Sequence, residues 1–136
     1  MPSTYLVLIT ILGWGIGSYF YKTANSNIHP MMVSIIVTAF YVVWDTSAFL
    51  FIPFNKTINS TGVLYTLLGA FFMGGGSLAY FFALRNGQAG STTVLTSMYP
   101  AVTVILAAIF LKESIGIKHG IGIALALTSF LLLSSK

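Results

Sequence analysis

Apolar residues run along this chain in long unbroken blocks, with polar residues collected into short gaps between them. Five blocks stand out: Thr4–Tyr21, Pro30–Phe51, Gly62–Leu84, Ser91–Leu111 and Ile115–Ser134. Each approaches the roughly 20 residues a helix needs to cross a hydrocarbon core about 30 Å thick. Strands of a membrane barrel would alternate apolar and polar residues over about 10 positions, and these blocks do not. Pro30 is a favoured first-turn residue, and Arg85-Asn86-Gly87 is a good helix C-terminus signal. The gaps, Lys22–His29, Asn55–Thr61, Arg85–Gly90 and Lys112–Gly116, are short, so neighbouring helices are predicted to run antiparallel. The pattern predicts an all-α membrane protein with five transmembrane helices in a single domain over residues 1–136. The first block is expected to be a retained span. Met1-Pro2-Ser3 carries no Lys or Arg, and the apolar run exceeds a typical signal h-region, although Ala24-Asn25-Ser26 resembles a cleavage site.

Composition supports this reading. Hydrophobic residues make up 57% and charged residues only 6%, against about 25% charged in an ordinary soluble domain. So little charge could not cover a bundle in water, and the lipid bilayer is the expected partner, most simply the cell membrane. The formal charge of +4 comes from scattered cations. No Lys/Arg cluster exists to neutralise a row of phosphates, so no nucleic acid is expected. Cysteine is absent, which excludes disulfides and thiolate chemistry.

Charge also bears on orientation. Five spans place Lys56, Lys112 and Lys118 on the amino-terminal side and Lys22, Arg85 and Lys136 on the other. Orientation follows the Lys/Arg difference between faces, and here three oppose three. Either a small bias escapes simple counting, or the chain inserts both ways round and pairs as an antiparallel homodimer.

Helices in lipid associate through small residues and hydrogen bonds. Gly13 and Gly17, then Gly69, Ala70 and Gly74, then Gly116, Gly120, Gly122 and Ala126 supply such positions. Gly74-Gly75-Gly76 weakens the third helix in mid-span, and Pro100 removes a backbone hydrogen bond from the fourth. Both are candidate hinges, and both also suit a static bundle.

The segment Ala79-Tyr80-Phe81-Phe82-Ala83-Leu84-Arg85-Asn86-Gly87 is similar to the end of the third helix in EamA-type domains of the drug/metabolite transporter superfamily. A small polar start at Ala89–Thr93 follows, then Ser97-Met98-Tyr99-Pro100, Ile109-Phe110-Leu111-Lys112-Glu113 and Gly120-Ile121-Gly122. The ordered set resembles that family over about residues 62–134. The first two spans match only in length and in Gly13-Trp14-Gly15. The resemblance implies a transporter of small organic metabolites such as amino acids or nucleosides. It also implies that this chain is one half of a ten-helix inverted-repeat architecture. Inverted repeats enclosing a midplane site are a general transporter scheme, which a five-span chain could reach by pairing with an inverted copy.

Asp45 is the only acidic residue within a predicted span. It is expected at roughly mid-depth on the second helix, where a carboxylate costs several kcal/mol by insertion scales. It is a candidate proton- or cation-coupling group, or else a neutral acid hydrogen-bonded to a neighbouring helix, or one near the interface if the span shifts. Trp14, Tyr41, Trp44, Tyr80 and Tyr99 lie within spans, where aromatic rings stack on organic solutes or simply pack. Ser77 shares a face with Tyr80. Thr96 offers a hydroxyl to substrate or to its own helix carbonyls. Trp14, Tyr41, Trp44, Ser77, Tyr80, Thr96 and Tyr99 are thus the candidate substrate-binding residues. Tyr80 and Tyr99 are also the positions the resemblance favours. Glu113 suggests a structural or topological role. His29 and His119 lack paired ligand spacing, so no metal and no cofactor is expected. No nucleophile-base pair, phosphate loop or paired catalytic carboxylates occurs, so no enzyme is expected. Alternatives are a small multidrug-type exporter, disfavoured because the first span has no acidic residue, and a non-transporting membrane subunit assembled with a partner.

Overall fold

The computed structural model describes residues 4–54 and 57–134. Lys56 and Lys136 of the charge tally, the Met1–Ser3 flank and Asn55 of the second gap lie outside the described residues. Six helices follow in order: α1 (Thr4–Asn27), α2 (Pro30–Phe51), α3 (Ser60–Asn86), α4 (Ala89–Thr96), α5 (Tyr99–Phe110) and α6 (Ile117–Ser134). Helices α4 and α5 together form one span, so five segments are long and apolar enough to cross a membrane. The protein is an all-α membrane protein of five spans.

Helix α1 continues six residues beyond its expected end at Tyr21. Its polar tail stays helical because its side chains bond back to carbonyls one turn earlier. Thr23 Oγ1 donates to Tyr19 O (3.2 Å) and Asn25 Nδ2 to Tyr21 O (2.8 Å). Ser26 Oγ donates to Lys22 O (3.1 Å) and Asn27 Nδ2 to Thr23 O (2.8 Å). The turn into α2 shrinks to Ile28 and His29. His29 caps α2, its Nδ1 accepting the Met31 N–H at 3.2 Å, and Pro30 takes the first helical turn, where its missing N–H costs nothing.

The fourth span is broken rather than merely kinked. Its interruption falls at Ser97-Met98, one turn before Pro100. Proline offers no N–H to the Thr96 carbonyl, and its ring crowds that carbonyl. The chain tightens instead: Met98 N reaches Leu95 O (3.4 Å) and Ala101 N reaches Met98 O (3.0 Å), both spanning three residues. Beyond α5, Lys112 adopts φ 55°, the only positive φ of a non-glycine among the described residues. The following Glu113 N–H folds back to Ala107 O at 3.3 Å, ending the helix.

The chain divides into two compact units, Met1–Asn86 and Gly87–Lys136. In the first, α3 packs against both α1 and α2. Its buried residues are Asn25, Pro30, Val33, Phe81 and Leu84. All lie at one end, where α1 finishes, α2 begins and α3 finishes. Residues 4–16 of α1 and 60–77 of α3 are exposed at every position described, and so is α2 from 38 to 47. In these stretches no residue is buried against a neighbouring helix. The first unit is therefore clasped at one end and open along the rest of its length. In the second unit, α4 packs against α6. Its single buried residue among those described is Thr92, and α6 turns the partly covered stripe Ile123, Ala126 and Ser129 inward.

Candidate functional site

The clasp is built from charge meeting helix ends. Lys22 Nζ donates to Leu84 O at 2.7 Å and to Arg85 O at 3.3 Å. These are carbonyls of the last turn of α3, which lack intrahelical donors and carry the negative end of the helix dipole. Arg85 Nη1 in turn donates to Ile28 O at 3.3 Å, in the α1–α2 turn. Aromatic edges close the same end. Tyr21 meets Phe81 at a centroid distance of 5.2 Å and 81°, and His29 meets Phe82 at 5.6 Å and 81°. Asn25 is 1% exposed there. Its Nδ2 bonds Tyr21 O, while its Oδ1 has no partner among the described residues.

Just above the clasp, Tyr21 Oη and Tyr41 Oη lie 3.3 Å apart, bridging α1 and α2. Asp45 follows Tyr41 by four residues and shares its face one turn further from the clasp. Gly17 precedes Tyr21 by four residues and shares its face in the same direction. A Cβ built on Gly17 would meet nothing nearer than Tyr21 Cε2 at 4.0 Å, and one on Gly13, a turn beyond, would meet nothing within 4 Å. The α1 stripe running away from the tyrosine pair thus carries no side chain at Gly17 and Gly13.

No hydrogen-bond or ion-pair partner reaches Asp45 among the described residues. It stands 15 residues after Pro30 and six before Phe51, about 22 Å from the clasped end of α2 and about 9 Å from the other. That is nearer the open end than the mid-depth expected from the sequence. Lys22 is no counter-ion to it. Its Nζ is engaged instead by the carbonyls of Leu84 and Arg85 at the clasped end. Beside Asp45, Phe40 and Trp44 stack at 6.4 Å and 24°, and Trp44 is 63% exposed.

The remaining candidates divide between the units. Trp14, Ser77 and Tyr80 belong to the first, with Trp14 and Ser77 in its open part and Tyr80 half-buried beside Phe81 at 6.2 Å. Gly74, Gly75 and Gly76 continue α3 without interruption, and a Cβ at each would meet nothing within 4 Å. Thr96, Tyr99 and Pro100 belong to the second unit. Thr96 Oγ1 bonds back to Thr92 O (2.9 Å) and Thr93 O (3.1 Å), so its proton is committed to its own helix. Tyr99 opens α5 and is exposed. In the same unit, a hollow of about 140 Å³ is lined by Thr103, Val104, Ala107, Glu113, Ser114, Ile115 and His119. Among the described residues, no group of three or more His, Cys, Asp or Glu side chains gathers.

Lys22 and Asn25 fall in the gap Lys22–His29 expected from the sequence, and neither is among its candidate site residues. Their signal was the run of Thr, Asn and Ser able to bond back along a helix.

Five helices long and apolar enough to cross a membrane define a polytopic membrane protein. The model of the EamA-like transporter family matches residues 1–135, and the chain belongs to that family, within the drug/metabolite transporter superfamily. It is also similar to an uncharacterised protein of Methanocaldococcus jannaschii, with 31% identity over 130 residues covering 95% of this chain and 93% of that protein. No solved structure matches.

Proposed function

We propose that the protein is a secondary transporter of small organic metabolites that works as an antiparallel homodimer in the cell membrane, with Asp45 as its coupling group. The observation that carries this reading is the unpartnered Asp45 carboxylate in the open part of the first unit. Leaving a carboxylate without a partner among apolar spans costs several kcal/mol, a cost that is tolerated where the group has work to do. A carboxylate that exchanges a proton or cation between the two faces is such work. Trp14, Tyr41, Trp44, Ser77 and Tyr80 supply rings and hydroxyls for a solute in the first unit, and Thr96 and Tyr99 do so in the second. Gly74–Gly76 and Pro100 are the hinges of the transport cycle.

Pairing with an inverted copy is supported by two features. The six basic residues split three and three, so neither orientation is favoured. The open halves of α1, α2 and α3 leave apolar and glycine surface for another set of helices to cover. The M. jannaschii relative is itself little longer than one such unit.

The test is uptake into proteoliposomes of purified chain. A panel of amino acids, nucleosides and organic cations is offered with and without a pH gradient. At least one solute accumulates with the gradient, and Asp45→Asn abolishes the gradient's effect. Uptake that stays gradient-driven in Asp45→Asn overturns the coupling role.

A further inference from the structure

We infer that the hollow at the α5–α6 connection binds a phospholipid headgroup ending in a primary ammonium, with Glu113 as the carboxylate that receives it. The inference goes beyond the transporter reading and does not depend on it.

The turn that ends α5 builds the site. Lys112 takes φ 55° and sends the chain back, so that the Glu113 N–H reaches Ala107 O at 3.3 Å. Glu113 and Ser114 thereby line the same hollow as Thr103, Val104 and Ala107 of α5. His119 joins them from the first turn of α6, and its Nδ1 lies 3.9 Å from where a Cβ on Gly116 would stand. Neither the Glu113 carboxylate nor the His119 imidazole has a hydrogen-bond or ion-pair partner among the described residues. The Thr103 hydroxyl donates to Tyr99 O at 3.3 Å, which leaves its oxygen free to accept.

Depth and chemistry together select the ligand. Helix α5 ends at Phe110 and α6 begins at Ile117, each at the end of a span. Glu113, Ser114 and His119 therefore lie at the level where a bilayer keeps its headgroups. Thr103 is two turns before the end of α5, about 10 Å deeper, beside the apolar Val104 and Ala107. Charge at the mouth, then a hydroxyl and an apolar wall, is the order of ammonium, ester and chain along a phospholipid. The mouth is rich in acceptors, and acceptors call for N–H donors. A primary ammonium brings three and a quaternary one brings none. The hollow of about 140 Å³ has the room of four or five waters at roughly 30 Å³ each. That admits an aminoethyl group and excludes a whole metabolite. Lys112 and Lys118 border the same connection and supply cations for the phosphate that follows the ammonium.

Native mass spectrometry of the full chain tests this. The chain is released from micelles holding phosphatidylethanolamine, its N-methyl and N,N-dimethyl derivatives and phosphatidylcholine, at equal concentration and with identical acyl chains. The primary ammonium lipid is expected to be retained about tenfold over phosphatidylcholine, the worth of one charge-assisted hydrogen bond. Retention is expected to fall with each methyl added. Glu113→Gln keeps the shape and removes the charge, and is expected to erase that order while its thermal midpoint by circular dichroism reports that it stays folded. Should that variant not fold, the methyl series in the unaltered chain still decides. Equal retention of the four lipids by the unaltered chain overturns the inference, and so does an unchanged order in folded Glu113→Gln. Stronger retention of phosphatidylglycerol than of phosphatidylethanolamine would assign lipid binding to Lys112 and Lys118 and overturn it as well. Displacement of the lipid by millimolar ethanolamine would mark a site for a soluble amine and overturn the lipid assignment.

Discussion

Lys22 holds the clasp together through two bonds to the end of α3. A charged hydrogen bond contributes about 1.5–3 kcal/mol when its partner is otherwise unsatisfied, and this end is only partly buried. Lys22→Met should therefore destabilise the chain by about 1.5 kcal/mol, read as a lower thermal midpoint by circular dichroism in detergent. An unchanged midpoint would mean that the apolar and aromatic contacts of Phe81, Leu84 and Tyr21 hold the end alone. Asp45 was legible in the sequence, because a lone acid in an apolar block is conspicuous. Lys22 was not, because its partners lie more than 60 residues away and are backbone atoms, which no side-chain pattern reveals. Asn25 was misread for a related reason. A polar residue after an apolar block looks like loop until its back-bond to Tyr21 keeps it helical and the fold buries it.

At the scale of the helices, the five spans followed from block length alone, and the errors were confined to their ends and to one break. Pro100 signalled a disturbance in the fourth span, but the break appears one turn earlier, because the clash is with the carbonyl of Thr96 rather than at the proline itself. Pro100→Ala restores the missing donor and should fuse α4 and α5. Spin labels on Ser91→Cys and Ala108→Cys should then move toward the roughly 26 Å separation of an unbroken helix, measured by pulsed electron resonance. An unchanged distance would assign the break to Ser97 and Met98 instead. Gly74–Gly76 carry the opposite lesson. Their weakness as helix formers suggested a soft point, and α3 runs through them unbroken. Alanine at all three positions meets no steric obstacle and should strengthen the helix by about 0.5–1 kcal/mol per residue. If these glycines are a hinge, the same triple variant transports several-fold more slowly despite its stability. Wild-type rates would assign them to helix contacts alone.

The whole molecule is a five-span unit whose first three helices are joined at one end and uncovered along the rest. Within lipid that surface is tolerable for Leu and Phe, but not for a charged carboxylate. A second copy inserted the other way up would bring its own helices to the uncovered faces and turn one unit into a two-fold whole. The even split of basic residues was visible in the sequence, whereas the open halves appeared only in the folded chain. The inverted pair is tested most directly by the chain's lack of cysteine, which makes any introduced thiol unique. Ser114→Cys, in the connection between α5 and α6, can be labelled on intact cells with a membrane-impermeant maleimide, before and after permeabilisation. The inverted pair predicts that about half the thiols react from outside and the rest only after permeabilisation. Complete labelling from outside, or none, would contradict it.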